Sequence, residues 1–187
     1  MIYYLIASIL IAVTALFART KRAVLAAGIL FYAVQIAAAG LLLWGGLYDT
    51  TSAAFFTFDA LGTLFYLLLV VVSMYVFGHS EAYLQGEDLR SYRLYFALLM
   101  LLTTAIAGAY FANNLAVTWI FLEATTLCSA GIIYHRRTAQ ALEAAWKYVF
   151  VCSTGIAMAY LGILLLAAAT KCETLSYEAV AEAASSG

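Results

Sequence analysis

Glu123 is the residue of this 187-residue chain whose type and position point most directly to chemistry. It stands near the middle of the long apolar run at 115–133, about ten residues or ~15 Å from the basic residues that follow the run. A carboxylate at such a depth in a membrane costs ~2.5 kcal/mol or more unless it is paired, hydrated or protonated. This position is typical of a proton or ion path; the structural alternative is a protonated glutamate bonded to a neighbouring helix. Thr126, one turn further along the same face, is a candidate hydrogen-bond partner.

Glu143 and Lys147 form a second candidate pair, near the start of the next apolar run. Their four-residue spacing puts them on one helix face, with glutamate before lysine, which is the favourable order for an ion pair. Lys147 lies ~8 Å along the predicted helix, a depth from which its ammonium group can still reach the interface. The spacing fits a surface ion pair and a proton carrier between Glu123 and the cytoplasm equally well.

The other polar side chains give weaker signals. Asp59 opens an apolar run, and we favour a helix N-cap over a pathway role because aspartate is among the best capping residues. His79 and His135 are expected in exposed cytoplasmic loops and lack metal-ligand spacing; His135 is kept as a secondary pathway candidate.

Cofactor signatures are absent from the sequence. There is no phosphate-binding loop, no nucleophile motif and no haem or iron–sulfur ligand set, so we expect no cofactor. No two of the three cysteines form a C-x-x-C pair, and small apolar packing is their simplest role. The cysteines are Cys128, Cys152 and Cys172.

Composition places the chain in a membrane. Hydrophobic residues make up 66% and charged residues 10%, against ~25% charged in a typical soluble domain. The net charge of -1 gives no sign of nucleic-acid binding. The chain has no proline, where average usage would give roughly nine, and this predicts mostly uninterrupted helices.

The apolar runs predict an all-α, polytopic bundle of about six transmembrane helices, since a span needs ~20 mostly apolar residues. The predicted spans are 2–17, 23–47, 59–77, 94–111, 115–133 and 142–169. Between them we expect a loop at 49–58, a long interruption at 79–93 and a tight turn at Asn113 and Asn114. The tail after residue 170 is expected to be a short amphipathic helix or disordered.

The loop charges predict the orientation of the bundle. The first, third and fifth loops hold three, two and two Lys or Arg residues, whereas the second and fourth hold none and the tail holds only Lys171. The positive-inside rule puts the odd loops in the cytoplasm and both termini outside. The first apolar run has no preceding basic residues, which indicates a retained helix and not a cleaved signal. We expect a multi-pass protein of the inner (plasma) membrane.

Three motifs in order resemble a known family. They are FDALGTLF at 58–65, ANNL at 112–115 followed by FLE at 121–123, and AAWKY at 144–148. Together they resemble the proton-translocating, antiporter-like subunits of respiratory complex I, cation/proton antiporter complexes and membrane-bound hydrogenases. Leu122 stands where complex I subunits usually have tryptophan. With the basic stretch HRR at 135–137, the chain looks closest to hydrogenase-4 component F.

The resemblance implies a role for specific residues and a division of the chain. Glu123 would be the buried carboxylate of a proton half-channel, and Lys147 one of its lysine partners. Residues 1–78 would form an N-terminal three-helix segment, 79–170 the first three helices of an incomplete five-helix repeat, and 171–187 an acidic tail. The family's later broken helix, with its channel lysine, is missing, so we expect a fragment, a partly traced subunit or one half of a split subunit.

The function expected from this resemblance is that of an antiporter-like subunit of a redox-driven ion-translocating complex, without redox chemistry in this chain. Its partners would be membrane lipid and other membrane subunits of a hydrogenase or complex I-like assembly, including a chain that supplies the remaining helices. Two rivals stay open. One is a non-transporting scaffold subunit, and the other is a small carrier that works as a homodimer.

Overall fold

The computed structural model describes residues 2–44, 55–170 and 174–186, which are almost entirely helical. The helices are α1 (Ile2–Phe17), α2 (Lys21–Leu43), α3 (Ala60–Tyr83), α4 (Leu89–Phe111), α5 (Leu115–Ile133), α6 (Ala139–Thr170) and α7 (Tyr177–Ser186), with a 3-10 turn at Tyr134–Arg136 between α5 and α6. Apart from two isolated bridge pairs, these ranges contain no β-structure. The all-α prediction is confirmed.

Five of the helices, α2 to α6, are long and apolar enough to cross a membrane. The remaining predicted span is α1, the first helix of the chain. It has 16 residues, or ~24 Å of helix, against a hydrocarbon core of ~30 Å. It packs against α2 and α4 in the bundle. The membrane-bundle prediction is therefore confirmed, and the crossing by α1 stays a prediction.

Several polar side chains are buried inside the bundle, and many large apolar ones are exposed on its outside. Gln35 of α2 is fully buried, and its side-chain oxygen accepts hydrogen bonds from Tyr4 of α1 and Tyr66 of α3. In the same interior, Tyr32 donates to the backbone oxygen of Ser73 at 2.9 Å. Hydrogen bonds of this kind join helices in lipid, where apolar burial contributes little to their association.

Helix ends differ most from expectation on either side of the third loop. The predicted interruption at 79–93 shrinks to residues 84–88, because α3 continues to Tyr83 and α4 begins at Leu89. His79 is therefore helical, exposed and stacked on Tyr75. The apolar run marks only the part of a helix that lies in hydrocarbon, whereas backbone hydrogen bonds extend the helix into the interface.

Side-chain caps begin several helices, as the sequence suggested for Asp59. Its Oδ1 accepts from the backbone N–H of Gly62 at 3.1 Å and starts α3. Asn114 starts α5 in the same way, accepting from Ala116 N at 2.9 Å. Residues 49–54 of the predicted second loop lie outside the described ranges.

The tail forms a helix, which is one of the two forms expected for it. Before α7 begins, Ser176 pairs with Asn114 and the carbonyl of Leu175 accepts from Leu115 N at 2.9 Å. The tail therefore lies against the turn between α4 and α5, at the bundle end opposite to the basic loops.

The basic loops meet at one end of the bundle and are tied together there. Lys21 donates to the carbonyl of Glu87 at 2.6 Å, and Arg93 donates to the carbonyl of Ala18 at 3.0 Å. Arg136 lies 3.5 Å from the Glu87 carboxylate. We name this the basic end.

We predict that single cysteines at Thr138 and Thr174 label from opposite sides of the membrane. Both positions are exposed, with Thr138 at the basic end and Thr174 beside the α4–α5 turn. The background would carry alanine at the three native cysteines. A membrane-impermeant maleimide added to intact cells should modify position 174 and spare position 138. Labelling of both, or of 138 alone, would overturn the predicted orientation.

Candidate functional site

Glu123 lies at mid-span and faces a neighbouring helix. Eight residues of α5 precede it and ten follow it, which is ~12 Å and ~15 Å of helix. The side chain is half-buried, and the hydroxyl of Ser153 on α6 donates to its Oε1 at 3.2 Å. Its Oε2 has no hydrogen-bond partner within the described ranges. Among the described residues, the carboxyl group is thus hydrogen-bonded at one oxygen and unpaired at the other.

Aromatic contacts one turn away fix how α5 sits on α6. Trp119, four residues before Glu123, donates from its indole N–H to the carbonyl of Ile156 at 2.9 Å. Its ring centroid lies 4.6 Å from that of Tyr160. Because Ile156 follows Ser153 by three residues, these contacts hold Ser153 level with the carboxylate.

Thr126 does not take the part that the sequence suggested. It is buried, but its hydroxyl donates to the carbonyl of Leu122, four residues back on its own helix. Threonine in a helix often bonds the carbonyl four residues back. The Thr126 hydroxyl therefore does not donate to Glu123. Ser153 is the partner that sequence reasoning missed; it is one of few polar residues in the middle of α6, and only the pairing of the two helices identifies it.

Glu143 and Lys147 bind each other, as their spacing predicts. Their side chains are exposed by 66% and 74%. Lys147 stands six residues before Ser153 on α6, ~9 Å along the axis, and no ion pair joins it to Glu123 within the described part of the chain.

His135 is buried, so the expectation that it would be exposed was wrong. Only 6% of the residue is accessible, because the 3-10 turn folds its ring against Tyr83 of α3 and Tyr95 of α4. Its Nδ1 lies 2.8 Å from the carbonyl of Ile132 and carries the proton, since a carbonyl only accepts. His135 thus faces α3 and α4, while Glu123 faces α6.

Helix α6 leaves most of its surface uncovered. It contacts α5, the 3-10 turn and α7, and an open groove of about 440 Å³ runs along it. Ser153 lines this groove together with Trp146 and Phe150, whose exposed fractions are 74% and 75%. The Glu123 site therefore lies beside a face that other helices or lipid must complete.

The described residues include no group of three or more His, Cys, Asp or Glu side chains placed to hold a metal ion. The chemistry that this site could perform is proton exchange at the Glu123 carboxyl group. The Ser153 hydroxyl bonds that group, and the Trp119 indole fixes α5 against α6.

No family model matches the chain. It is similar to a "Hydrogenase-4 component F homolog" of Methylacidiphilum infernorum (isolate V4), with 30% identity over 118 residues. The match covers 60% of this chain and 25% of that protein. The chain thus spans about a quarter of the length of the relative it matches.

Proposed function

We propose that this chain is an antiporter-like membrane subunit, or the N-terminal part of one, in a redox-driven proton- or ion-translocating complex of the membrane-bound hydrogenase type. The observation that carries the proposal is the placement of Glu123, a carboxyl group at mid-span that faces α6. Ionisable groups at this depth usually serve transport. Similarity to a hydrogenase-4 component F homolog supports the choice of complex.

In this proposal Glu123 takes up and releases the transported proton. Ser153 keeps Oε1 in position, and the exchange occurs at Oε2. Lys147 acts by its charge, because a cation that approaches a carboxylate lowers the carboxylate's affinity for a proton. Movement of Lys147 away from Glu143 and towards Ser153, over ~9 Å, would favour release of the proton from Glu123.

The proposed site is incomplete without partners. Residues 79–170 would be the first three helices of an antiporter-like repeat, and the remaining helices would come from outside the 187 residues. The uncovered face of α6 is where we place them, since Trp146 and Phe150 are widely exposed there. His135 and Asp59 would have structural roles, in the loop contacts and in the cap of α3.

A scaffold without transport is the second candidate, and one observation favours it. Lys147 forms its ion pair with Glu143 and not with Glu123. The two charged side chains of α6 therefore neutralise each other. In this alternative, Glu123 stays protonated and serves only to join α5 to α6 through Ser153.

The proposal is tested by proton uptake in inverted membrane vesicles supplied with the electron donor of the host complex. Deletion of this chain should abolish donor-driven acidification, and a plasmid copy should restore it. Acidification that persists at the wild-type rate without the chain would contradict a transport role.

The uncovered face of α6 gives a prediction about assembly. A Cβ added at Gly155 or Gly162 would meet no atom within 4 Å, so the chain itself leaves room there. We expect Gly155→Leu to reduce co-purification of partner subunits several-fold while membrane insertion stays unchanged, because small residues allow close helix approach. Gly40→Leu on α2, which is equally open, is the matched control. Full co-purification with Gly155→Leu would show that this face meets lipid.

A further inference from the structure

A cavity of about 320 Å³ opens at the basic end, between the start of α2 and the end of α3. It belongs to different helices from those that hold Glu123. The polar side chains of its lining belong to Lys21, Arg22, Glu81, Gln85 and Tyr92, and Gly86 adds backbone only. The apolar side chains of Leu25 and Leu84 complete the wall.

Two cations converge on this cavity, and one of them is firmly held. Lys21 donates to the carbonyl of Glu87 and lies 5.2 Å from the centre of the Tyr92 ring. An ammonium group has three donors, so two remain for a ligand. Arg22 is exposed, and its side chain makes no hydrogen bond or ion pair with the other described residues.

The start of α2 adds to the positive character of the cavity. Lys21 and Arg22 are the first two residues of the helix, where backbone N–H groups lack intrahelical partners. Thr20 caps only one of these groups, the N–H of Ala23. The positive end of the helix dipole favours an anion at the same place.

Glu81 is the opposing charge in the wall. It makes no ion pair with Lys21 or Arg22 in the described structure, so the wall carries two cations and one anion that do not neutralise each other in contact. The balance favours an anionic ligand whose charge sits nearer to α2 than to α3.

We propose that this cavity binds the phosphate group of an anionic phospholipid. It lies where membrane-spanning helices end, at the level of lipid headgroups, and basic pockets between helices at this level bind such headgroups. Leu25 continues the wall from the cations towards the apolar helix surface, which suits a phosphate that is joined to acyl chains better than a free ion. The site is independent of proton exchange at Glu123.

The test is lipid binding to the purified native complex, measured by native mass spectrometry with added phosphatidylglycerol or phosphatidylcholine. Arg22→Gln should weaken phosphatidylglycerol binding about five-fold, since one basic residue near the surface contributes ~1 kcal/mol. Glu81→Gln should strengthen it by a similar factor. Arg19→Gln is the matched control, because Arg19 is an exposed cation nearby that does not line the cavity.

The outcomes separate this site from its alternatives. Selective loss with Arg22→Gln, gain with Glu81→Gln and little change with Arg19→Gln support the proposal. Equal losses with Arg19→Gln and Arg22→Gln would overturn it in favour of a diffuse positive surface. Displacement of phosphatidylglycerol by an equal concentration of inorganic phosphate would overturn the proposal, because it would show that the cavity binds free phosphate as well as a lipid headgroup. A thermal melt of each variant checks that it remains folded.

Discussion

Glu123→Gln is expected to reduce donor-driven proton translocation to background while the abundance of the subunit stays near normal. Glutamine keeps the shape of the side chain and an oxygen that can accept from Ser153, but it cannot exchange a proton. Glu123→Asp should retain part of the activity, since the carboxyl group remains but is drawn back by one methylene. The measurement is proton uptake into inverted vesicles during electron transfer, with assembly checked on a native gel.

Two other acidic residues provide controls for Glu123. Glu143→Gln removes an exposed carboxylate of α6 that binds Lys147, and we expect a smaller loss of translocation than with Glu123→Gln. Asp59→Asn should be nearly silent because asparagine caps a helix about as well as aspartate. Full translocation by a well-assembled Glu123→Gln complex would show that the carboxyl group is structural and that the chain is a scaffold.

Gly108→Ala is expected to destabilise the bundle clearly, although it adds a single methyl group. A Cβ at this position of α4 would lie 2.3 Å from Cε1 of Phe121 on α5, so the ring or the helix must move. Overpacking of this kind costs ~1–3 kcal/mol. The expected result is a clearly lower midpoint of thermal unfolding in detergent, with reduced translocation because Phe121 and Glu123 share α5.

A matched control and a rescue decide whether the clash is the cause. Gly78→Ala on α3 adds the same methyl group where no atom lies within 4 Å, and its unfolding midpoint should not fall. Phe121→Ala introduced together with Gly108→Ala should cost less than the sum of the two single changes. An unchanged midpoint for Gly108→Ala, or strict additivity, would contradict close packing of α4 on α5.

Helix ends were predictable where a polar residue or turn closes the apolar run. The bounds of α1 and α5 agree with the sequence prediction. Basic residues follow α1, and the capping Asn114 precedes α5. The end of α3 was not predictable in this way. Its last five residues include His79 and Glu81, whose polarity suits the interface as well as a loop, and hydrophobicity alone does not distinguish the two.

The sequence was enough to identify Glu123 as the central residue of the site, but not to predict which side chains surround it. The depth of Glu123 follows from its place in one helix, and the Glu143–Lys147 pair follows from helical spacing. The contact with Ser153 and the burial of His135 depend on how helices pack against one another. Periodicity within a single helix contains no information about the rotation of its neighbour, so it favours Thr126, on the same helix, as the partner of Glu123.

Purification of this chain from native membranes, with every co-purifying subunit identified by mass spectrometry, shows whether it works inside a larger complex. We expect a stable complex that contains further membrane subunits, among them one with the helices that complete α6, and at least one subunit that carries redox centres. A chain that purifies alone or only as a homodimer, and still moves ions, would contradict the proposed function and indicate an autonomous carrier.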